Sequence, residues 1–251
     1  MRIQAFLQFE NESAMLPPWY RIGFASMIKE ALKKENEKLY SLYYGNNTST
    51  IPKPFTFAVK LNVKEVIKKD INYLKLGNPN VQFYLSSNDY EFLMSVYNGL
   101  LQIKKYPIYS NTVSIQRFNL VNPKEFTDTK AVFDIFSPVV VRRVTPDKKG
   151  AGYTNVNEAD YTQMLFYNIK SLCKFLGDSY CLSESDVKIN TNAAFTVKIP
   201  HYNKKNPQKP EVIVATDGSL TIEAPNEVLK LIYDIGLGAR RSQGFGMLEV
   251  V

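Results

Sequence analysis

Residues 225–250 read PNEVLKLIYDIGLGARRSQGFGMLEV, and the patterns in this stretch decide the predicted fold. Apolar residues spaced i, i+3, i+4, i+7 predict a helix that stops at Gly236. They are Val228, Leu231, Ile232 and Ile235, with Pro225 at the expected first helical position. A loop with four glycines and two adjacent arginines follows, and GFGMLEVV predicts a closing strand. The chain therefore ends as helix, glycine-rich loop and strand.

The first half of the chain has segments in the order strand, helix, strand, strand, helix, strand. Alternating apolar residues predict strands at 1–10, 54–61, 81–85 and 111–120. One helix is expected after Pro17 and Pro18, and another after the capping sequence SSND. Their apolar faces are Phe24, Met27, Ile28 and Ala31 in the first and Leu93, Val96, Tyr97 and Leu100 in the second.

The second half follows the same order. Strands are expected at 130–143, with a bend near Pro138, at 192–200, and at 211–224, with a break at the DG pair. The helix between them follows TNVNEAD and has Leu165, Ile169, Leu172 and Leu176 on one face. Two β-α-β-β-α-β units predict an α+β fold of tandem ferredoxin-like (RRM-like) domains. We place them at 1–122 and 123–251, with the glycine-rich loop at 236–246.

Composition and charge limit the function classes. With 31 Lys and Arg against 24 Asp and Glu, the formal net charge is +7, which favours a nucleic-acid partner. No apolar run reaches about 18 residues and the first strand does not resemble a signal peptide, so no membrane partner and a cytoplasmic protein are expected. Two cysteines and one histidine make a zinc site improbable, and neither a metal nor a cofactor is expected.

The glycine-rich loop has the pattern G-h-G-x5-G-h-G, where h is apolar, and it ends the second unit of a basic protein. GLGARRSQGFGMLEV therefore resembles the C-terminal signature of the Cas6 family, the endoribonucleases of the RAMP superfamily that process CRISPR repeat RNA. KPFTFAVKL (53–61) and VFDIFSPVVVRR (132–143) resemble further strands of that family. The resemblance covers essentially the whole chain.

This resemblance implies an endoribonuclease that binds CRISPR repeat RNA and cleaves precursor crRNA without a metal. The ribose 2′-OH would attack the neighbouring phosphorus, leaving a 2′,3′-cyclic phosphate and a 5′-OH. The family usually has a histidine shortly before the second strand, but residues 38–57 contain none. Tyr43, Tyr44 and Lys53 occupy that region and are the candidate catalytic residues. Tyrosine and lysine are poor bases at neutral pH, so orientation and charge stabilisation are their expected roles.

The candidate RNA-binding residues fall into three groups. Arg240 and Arg241 offer planar donor forks suited to phosphate, and the loop around them supplies amides and neutral donors. The loop set is Gly236, Gly238, Arg240, Arg241, Ser242, Gln243, Gly244, Phe245 and Gly246. Arg142 and Arg143 end a strand, and His201, Lys204 and Lys205 are expected on an exposed hairpin. Lysines and glutamates mixed along the first helix indicate an ordinary solvated face.

Two alternatives remain open from the sequence. Without the usual histidine, the protein could be a non-catalytic RNA-binding RAMP protein, or an effector-complex subunit that holds a guide RNA. Effector subunits and a second copy of this chain are further candidate partners. The RRM stacking consensus is absent from both halves, so recognition is expected at a cleft between them and at the glycine-rich loop rather than across an open sheet.

Overall fold

The computed structural model describes residues 1–45, 52–68, 72–144, 152–203 and 210–251. The chain divides into two compact units. The first comprises Met1–Lys53, Val59–Asn122 and Pro200–Glu211, and the second comprises Pro54–Ala58, Pro123–Ile199 and Val212–Val251.

Among the described residues, the first unit contains two long helices, a short helix and six strands, although residues 55–58 at the start of the third strand belong to the second unit. In chain order these are β1 (Arg2–Phe9), β2 (Met15–Leu16), α1 (Arg21–Glu35), α2 (Glu37–Tyr44), β3 (Phe55–Lys68), β4 (Asn72–Ser87), α3 (Tyr90–Ile103), β5 (Lys105–Ile108) and β6 (Asn111–Val121). Asn36 caps α2 and Asp89 caps α3, because their side-chain oxygens accept from Leu39 N and Phe92 N, respectively.

The sheet of this unit has the ferredoxin-like order. β1 lies between β4 and β6 and is antiparallel to both, while β3 pairs with the far side of β4. One face is apolar because alternate residues of β1 are buried, and the helices cover it. The ring of Phe24 on α1 stacks on Phe83 of β4 at 6.0 Å between ring centres. This side is therefore the core of the first unit.

The second unit repeats this arrangement with shorter strands. Its elements are β7 (Lys130–Ile135), β8 (Val141–Arg142), β9 (Tyr153–Thr154), α4 (Tyr161–Leu172), β10 (Lys188–Asn190), β11 (Ala194–His201), β12 (Glu211–Glu223), α5 (Asn226–Ile235) and β13 (Leu248–Val250). β7 is the central strand between β12 and β13, and β11 pairs with β12. Helices α4 and α5 pack their apolar faces into one core with the strands. The predicted α+β class of tandem ferredoxin-like folds is confirmed.

Three details differ from the sequence prediction. The hairpin of β3 and β4 is far longer than the two short strands expected, because its outer part is exposed and has no burial pattern to mark it. β12 continues without a break through Asp217 and Gly218. The strand expected at 130–143 is interrupted at Ser137 and Pro138, since proline cannot donate to the ladder.

Candidate functional site

A cluster of tyrosines and lysines lies in the first unit, where α2 ends and the chain approaches β3. The rings of Tyr40 and Tyr44, one helical turn apart, stack with centres 5.8 Å apart. The ammonium of Lys53 lies 4.7 Å from the centre of the Tyr44 ring, and that of Lys29 on α1 lies 5.6 Å from it. Lys33 lies 5.7 Å from the Tyr40 ring. We call these five residues the tyrosine–lysine cluster.

The electrostatics of the cluster follow from this crowding. Burial lowers the pKa of Lys53, and the neighbouring charge of Lys29 lowers it further. Burial raises the pKa of Tyr44, with Tyr40 adding to the effect. The Tyr44 hydroxyl is therefore not a base at neutral pH, whereas Lys53 gives up its proton more readily than an exposed lysine. The cluster can offer positive charge, proton transfer and two stacked rings to an anionic aromatic ligand.

Tyr43 does not join this cluster. Its hydroxyl donates a 2.8 Å hydrogen bond to the Asp89 carboxylate, and its ring packs edge-on against Phe92. Burial and this carboxylate raise the pKa of Tyr43, and its side chain is 8% exposed. Because Asp89 also caps α3, Tyr43 joins α2 to the start of α3. Tyr43 therefore has a structural role, whereas Tyr44 and Lys53 lie against each other.

The glycine-rich loop of the second unit folds back on its own backbone. Leu237 N donates to Gly246 O, and Ala239 N donates to Val140 O. Gly246 has φ +76°, and an added Cβ would lie 2.0 Å from Leu237 O. Gly238 has φ +80°, and its Cβ would lie 2.4 Å from Val140 O. These glycines are required by contacts within the chain, whether or not a ligand also approaches the loop.

The two adjacent arginines of the loop have different surroundings. Arg240 has a left-handed backbone, and its Nε donates to the Tyr153 hydroxyl at 2.5 Å while Nη1 donates to Gln243 Oε1 at 3.0 Å. Arg241 is 7% exposed, and its Nη1 donates a 2.7 Å hydrogen bond to Ile235 O at the end of α5. Burial lowers the pKa of Arg241 to about 10. Arg240 is the partly exposed cation of the loop, and Arg241 caps a helix.

The other residues of the predicted loop set also differ in exposure. Ser242 and Gln243 are partly exposed, beside Arg240. The others are buried, and they are Gly236, Gly238, Gly244, Phe245 and Gly246. Phe245 belongs to a small apolar cluster with Val140, Ile213 and Ala215. The surface of the loop is therefore small and centred on Arg240.

The remaining predicted RNA-binding residues are not equivalent. Arg142 is exposed, but Arg143 forms ion pairs with Glu158 and Asp160, which compensate its charge. His201 was expected on an exposed hairpin, but it is 4% exposed. That expectation is wrong because His201 is the last residue of β11 and its side chain is packed. Lys204 and Lys205 lie outside the described residues.

Sequence reasoning missed three members of the cluster, Lys29, Lys33 and Tyr40. Lys29 and Lys33 were assigned to a solvated face, and both side chains are indeed exposed. Their i, i+4 spacing matches that of Tyr40 and Tyr44 on the adjacent helix, which is the signal that could have indicated them.

The described ranges contain no group of three or more His, Cys, Asp or Glu side chains that could hold a metal ion. None of the helices described there is long and apolar enough to cross a membrane.

Two ferredoxin-like units, the second with a glycine-rich loop before its last strand, define a protein of the tandem ferredoxin-like class. The family model described as CRISPR associated protein Cas6, C-terminal, matches residues 121–250, and the chain belongs to the Cas6 family.

The chain is also similar to one sequence relative and to solved structures of the same fold. The chain is 26% identical over 244 residues to a CRISPR-associated endoribonuclease Cas6 of Pyrococcus furiosus, covering 96% of this chain and 86% of the relative. A solved structure of a Cas6-related gene product from Pyrococcus furiosus has a TM-score of 0.80 at 19% identity, covering 100% of this chain and 98% of that one. An RAMP protein described as binding different RNA substrates has a TM-score of 0.79 at 18% identity, covering 100% and 99%.

Proposed function

We propose that this protein is an endoribonuclease that binds CRISPR repeat RNA and cleaves precursor crRNA by attack of a ribose 2′-OH, without a metal ion. The observation that carries the proposal is the placement of Lys53 over Tyr44 and beside Lys29, in a chain of the Cas6 family. The relative from Pyrococcus furiosus named as an endoribonuclease aligns with nearly all of the chain and supports the activity class.

The chemistry assigned to the cluster follows from its charges. The 2′-oxygen bonds to the adjacent phosphorus and loses its proton to solvent, while the bond from phosphorus to the 5′-oxygen breaks. Lys53 stabilises the charge on the phosphoryl oxygens and transfers its proton to the departing 5′-oxygen, which its lowered pKa favours. The products are a 2′,3′-cyclic phosphate and a 5′-OH.

The two tyrosines of the cluster act through their rings. The stacked pair Tyr40 and Tyr44 offers a face to an unpaired base next to the cleaved bond. Because the described cluster contains no imidazole, cleavage relies on charge stabilisation and orientation. We therefore expect a slow reaction, suited to one cut per repeat.

In the second unit, the proposal assigns RNA backbone binding to the partly exposed side of the glycine-rich loop. Arg240 is held by Tyr153 and Gln243, so its planar guanidinium is oriented before RNA arrives. Ser242, which is partly exposed, and Arg142, which is exposed, are further candidates from the predicted set.

One assay tests the activity. A repeat RNA labelled at one end is incubated with the protein in EDTA, and the product ends are analysed. A single cut with a cyclic phosphate that is lost in Lys53→Ala supports the proposal. Lys38→Ala removes an exposed lysine of α2 and serves as the matched control. A cut that requires added divalent metal, or one that is equally fast in Lys53→Ala, contradicts the proposed mechanism.

The absence of a histidine from residues 38–57 favours a second candidate, a non-catalytic RNA-binding RAMP protein. In that case the same RNA is bound but remains intact in the EDTA assay. Stoichiometric co-purification with other effector proteins, or with a second copy of the chain, would identify its partners.

A further inference from the structure

The start of β3 is anchored to the glycine-rich loop. The Thr56 hydroxyl donates a 2.8 Å hydrogen bond to Phe245 O, and this bond is buried although the two residues are 189 positions apart. Thr56 is 0% exposed, and its neighbours Phe55 and Phe57 are buried as well. Residues 54–58 accordingly belong to the second unit, which contains the loop, while the rest of β3 belongs to the first.

The first glycine of the loop packs directly against the same threonine. An added Cβ on Gly236 would lie 2.7 Å from Thr56 Cβ and 2.9 Å from Thr56 Cγ2, which is too close for two carbon atoms. Phe245, which accepts the hydrogen bond, is itself fully buried. The loop therefore fixes the position of Thr56 through both a hydrogen bond and close packing.

A short and stiff piece of chain connects this anchor to Lys53. The intervening residues are Pro54 and Phe55, and the Phe55 side chain is fully buried. The ring of a proline fixes its own φ and restricts the residue before it, here Lys53, to an extended conformation. Few torsions are therefore free between Thr56 and Lys53, and the backbone position of Lys53 follows that of Thr56.

The surroundings of Lys53 make such an anchor necessary. The titratable groups that face its ammonium are the Tyr44 ring of α2, at 4.7 Å, and Lys29 of α1. Lys29 repels Lys53, and partial burial also disfavours the charged form of Lys53. If the chain before β3 were free to move, Lys53 would therefore shift towards solvent and away from Lys29. A held backbone keeps it against the Tyr44 ring.

We propose that Thr56 is a positioning residue, through which the glycine-rich loop holds the start of β3 and keeps Lys53 against Tyr44. This inference deepens the proposed function and rests on it for the role of Lys53 in the cut. Thr56 is fully buried and acts through Lys53 rather than on the RNA. The loop then has two roles, since it binds the RNA backbone through Arg240 and orients the proton donor through Thr56.

Single-turnover cleavage of repeat RNA at saturating protein measures the effect on the cut. Thr56→Val keeps the shape of the side chain and removes its hydroxyl, so it should slow cleavage about tenfold while RNA affinity stays within about twofold of wild type. Thr56→Ser retains the hydroxyl and should restore the rate to within about threefold of wild type. Thr216→Val changes another fully buried threonine of the second unit and is the matched control, with a wild-type rate.

The pKa of Lys53 is a readout that a merely structural role of Thr56 would not change. Competitive labelling with acetic anhydride across pH, with the Lys53 peptide quantified by mass spectrometry, measures this pKa without RNA or cleavage. Thr56→Val should raise it towards that of an ordinary lysine, because Lys53 then leaves both its buried position and Lys29. Thr56→Ser and Thr216→Val should leave it unchanged. Pro54→Gly should raise it, since it loosens the connection to Lys53 and keeps the Thr56 hydroxyl.

The two measurements distinguish this inference from the proposed function. If the wild type never cleaves but Thr56→Val or Pro54→Gly raises the pKa of Lys53, the positioning role stands and the proposed catalysis fails. If the wild type cleaves and the pKa of Lys53 is unchanged in Pro54→Gly and in folded Thr56→Val, the proposed function stands and the positioning role is overturned. Pro54→Gly leaves the buried hydrogen bond in place, so it gives this answer even if Thr56→Val does not fold.

Discussion

The ammonium of Lys53 lies 4.7 Å from the centre of the Tyr44 ring, and the ammonium of Lys29 lies 5.6 Å from that same ring. An aromatic face attracts a cation, while the two cations repel each other. The Tyr44 ring therefore lies beside two positive charges, one from α1 and one from the residues just before β3. Burial, and after it the charge of Lys29, lowers the pKa of Lys53, the residue to which we assign proton transfer.

The pH dependence of cleavage should report this coupling. Protonated Lys53 is the active form in our mechanism, so the rate falls as pH rises through its pKa. Lys29→Met removes the like charge, raises the pKa of Lys53 and should move the alkaline limb to higher pH. Lys33→Met is the control, because Lys33 lies against the Tyr40 ring, whereas Lys29 is the lysine whose charge lowers the pKa of Lys53. Single-turnover cleavage rates across pH measure both, and a limb that moves to lower pH in Lys29→Met would refute the coupling.

Tyr44 should act through its ring rather than its hydroxyl. Burial raises the pKa of that hydroxyl, so it stays protonated throughout the useful pH range. Tyr44→Phe keeps the ring and should cleave within about threefold of wild type. Tyr44→Ala removes the cation–π contact with Lys53 and should lose about tenfold or more, or about 1.4 kcal/mol. Single-turnover cleavage rates of the two variants test this prediction. Equal losses of rate in Tyr44→Phe and Tyr44→Ala would assign the role to the hydroxyl.

Tyr43→Phe should affect stability and not cleavage. It removes the 2.8 Å hydrogen bond to the Asp89 carboxylate, and bonds to charged groups contribute about 1.5–3 kcal/mol. We expect the midpoint of urea unfolding to fall accordingly while the cleavage rate of the folded protein is unchanged. Tyr44→Phe is the control in the same unfolding measurement, because it removes the hydroxyl of the neighbouring tyrosine. A cleavage defect in Tyr43→Phe at full folding would return Tyr43 to the catalytic set.

Much of the fold could be predicted from the sequence, because the burial period of the strands and helices that form the cores appears directly in it, whereas the exposed outer part of β3 and β4 has no such period. The apolar spacing of α5 and the stop at Gly236 match the structure within one residue. The candidate site was harder to predict, since sequence separation hides which side chains meet. Nothing local distinguishes Tyr43 from Tyr44, or Arg240 from Arg241, and only tertiary packing assigns one of each pair to the interior. The mixed charges of α1 predict a solvated face, and only the i, i+4 spacing that its lysines share with Tyr40 and Tyr44 could have indicated that Lys29 approaches Tyr44.

Substitution of Arg240 and substitution of Arg241 should have different effects, the first on RNA binding and the second on stability. Arg240→Ala should weaken RNA binding and reduce the salt slope by about 1, with little effect on stability. Arg241→Ala leaves Ile235 O without its 2.7 Å partner and opens a cavity, which should cost about 1–3 kcal/mol of unfolding free energy. Salt-dependent anisotropy and urea unfolding on both variants provide the test. The assignment fails if Arg241→Ala is fully stable and alone loses RNA affinity.

The backbone of the glycine-rich loop can be tested with one pair of glycines. Gly246 and Gly152 both have φ +76°, but an added Cβ meets Leu237 O at 2.0 Å in the first and nothing within 4 Å in the second. Gly152→Ala therefore carries only the conformational cost of a left-handed residue, about 1–2 kcal/mol. Gly246→Ala carries that cost and must also displace the backbone that joins Leu237 to Gly246. We expect a distinctly larger loss of unfolding free energy in Gly246→Ala, together with weaker RNA binding, because Arg240 lies within the displaced loop. Equal losses of unfolding free energy in the two variants would mean that the loop backbone shifts to accept a Cβ. The contact with Leu237 would then not be the reason for a glycine at 246.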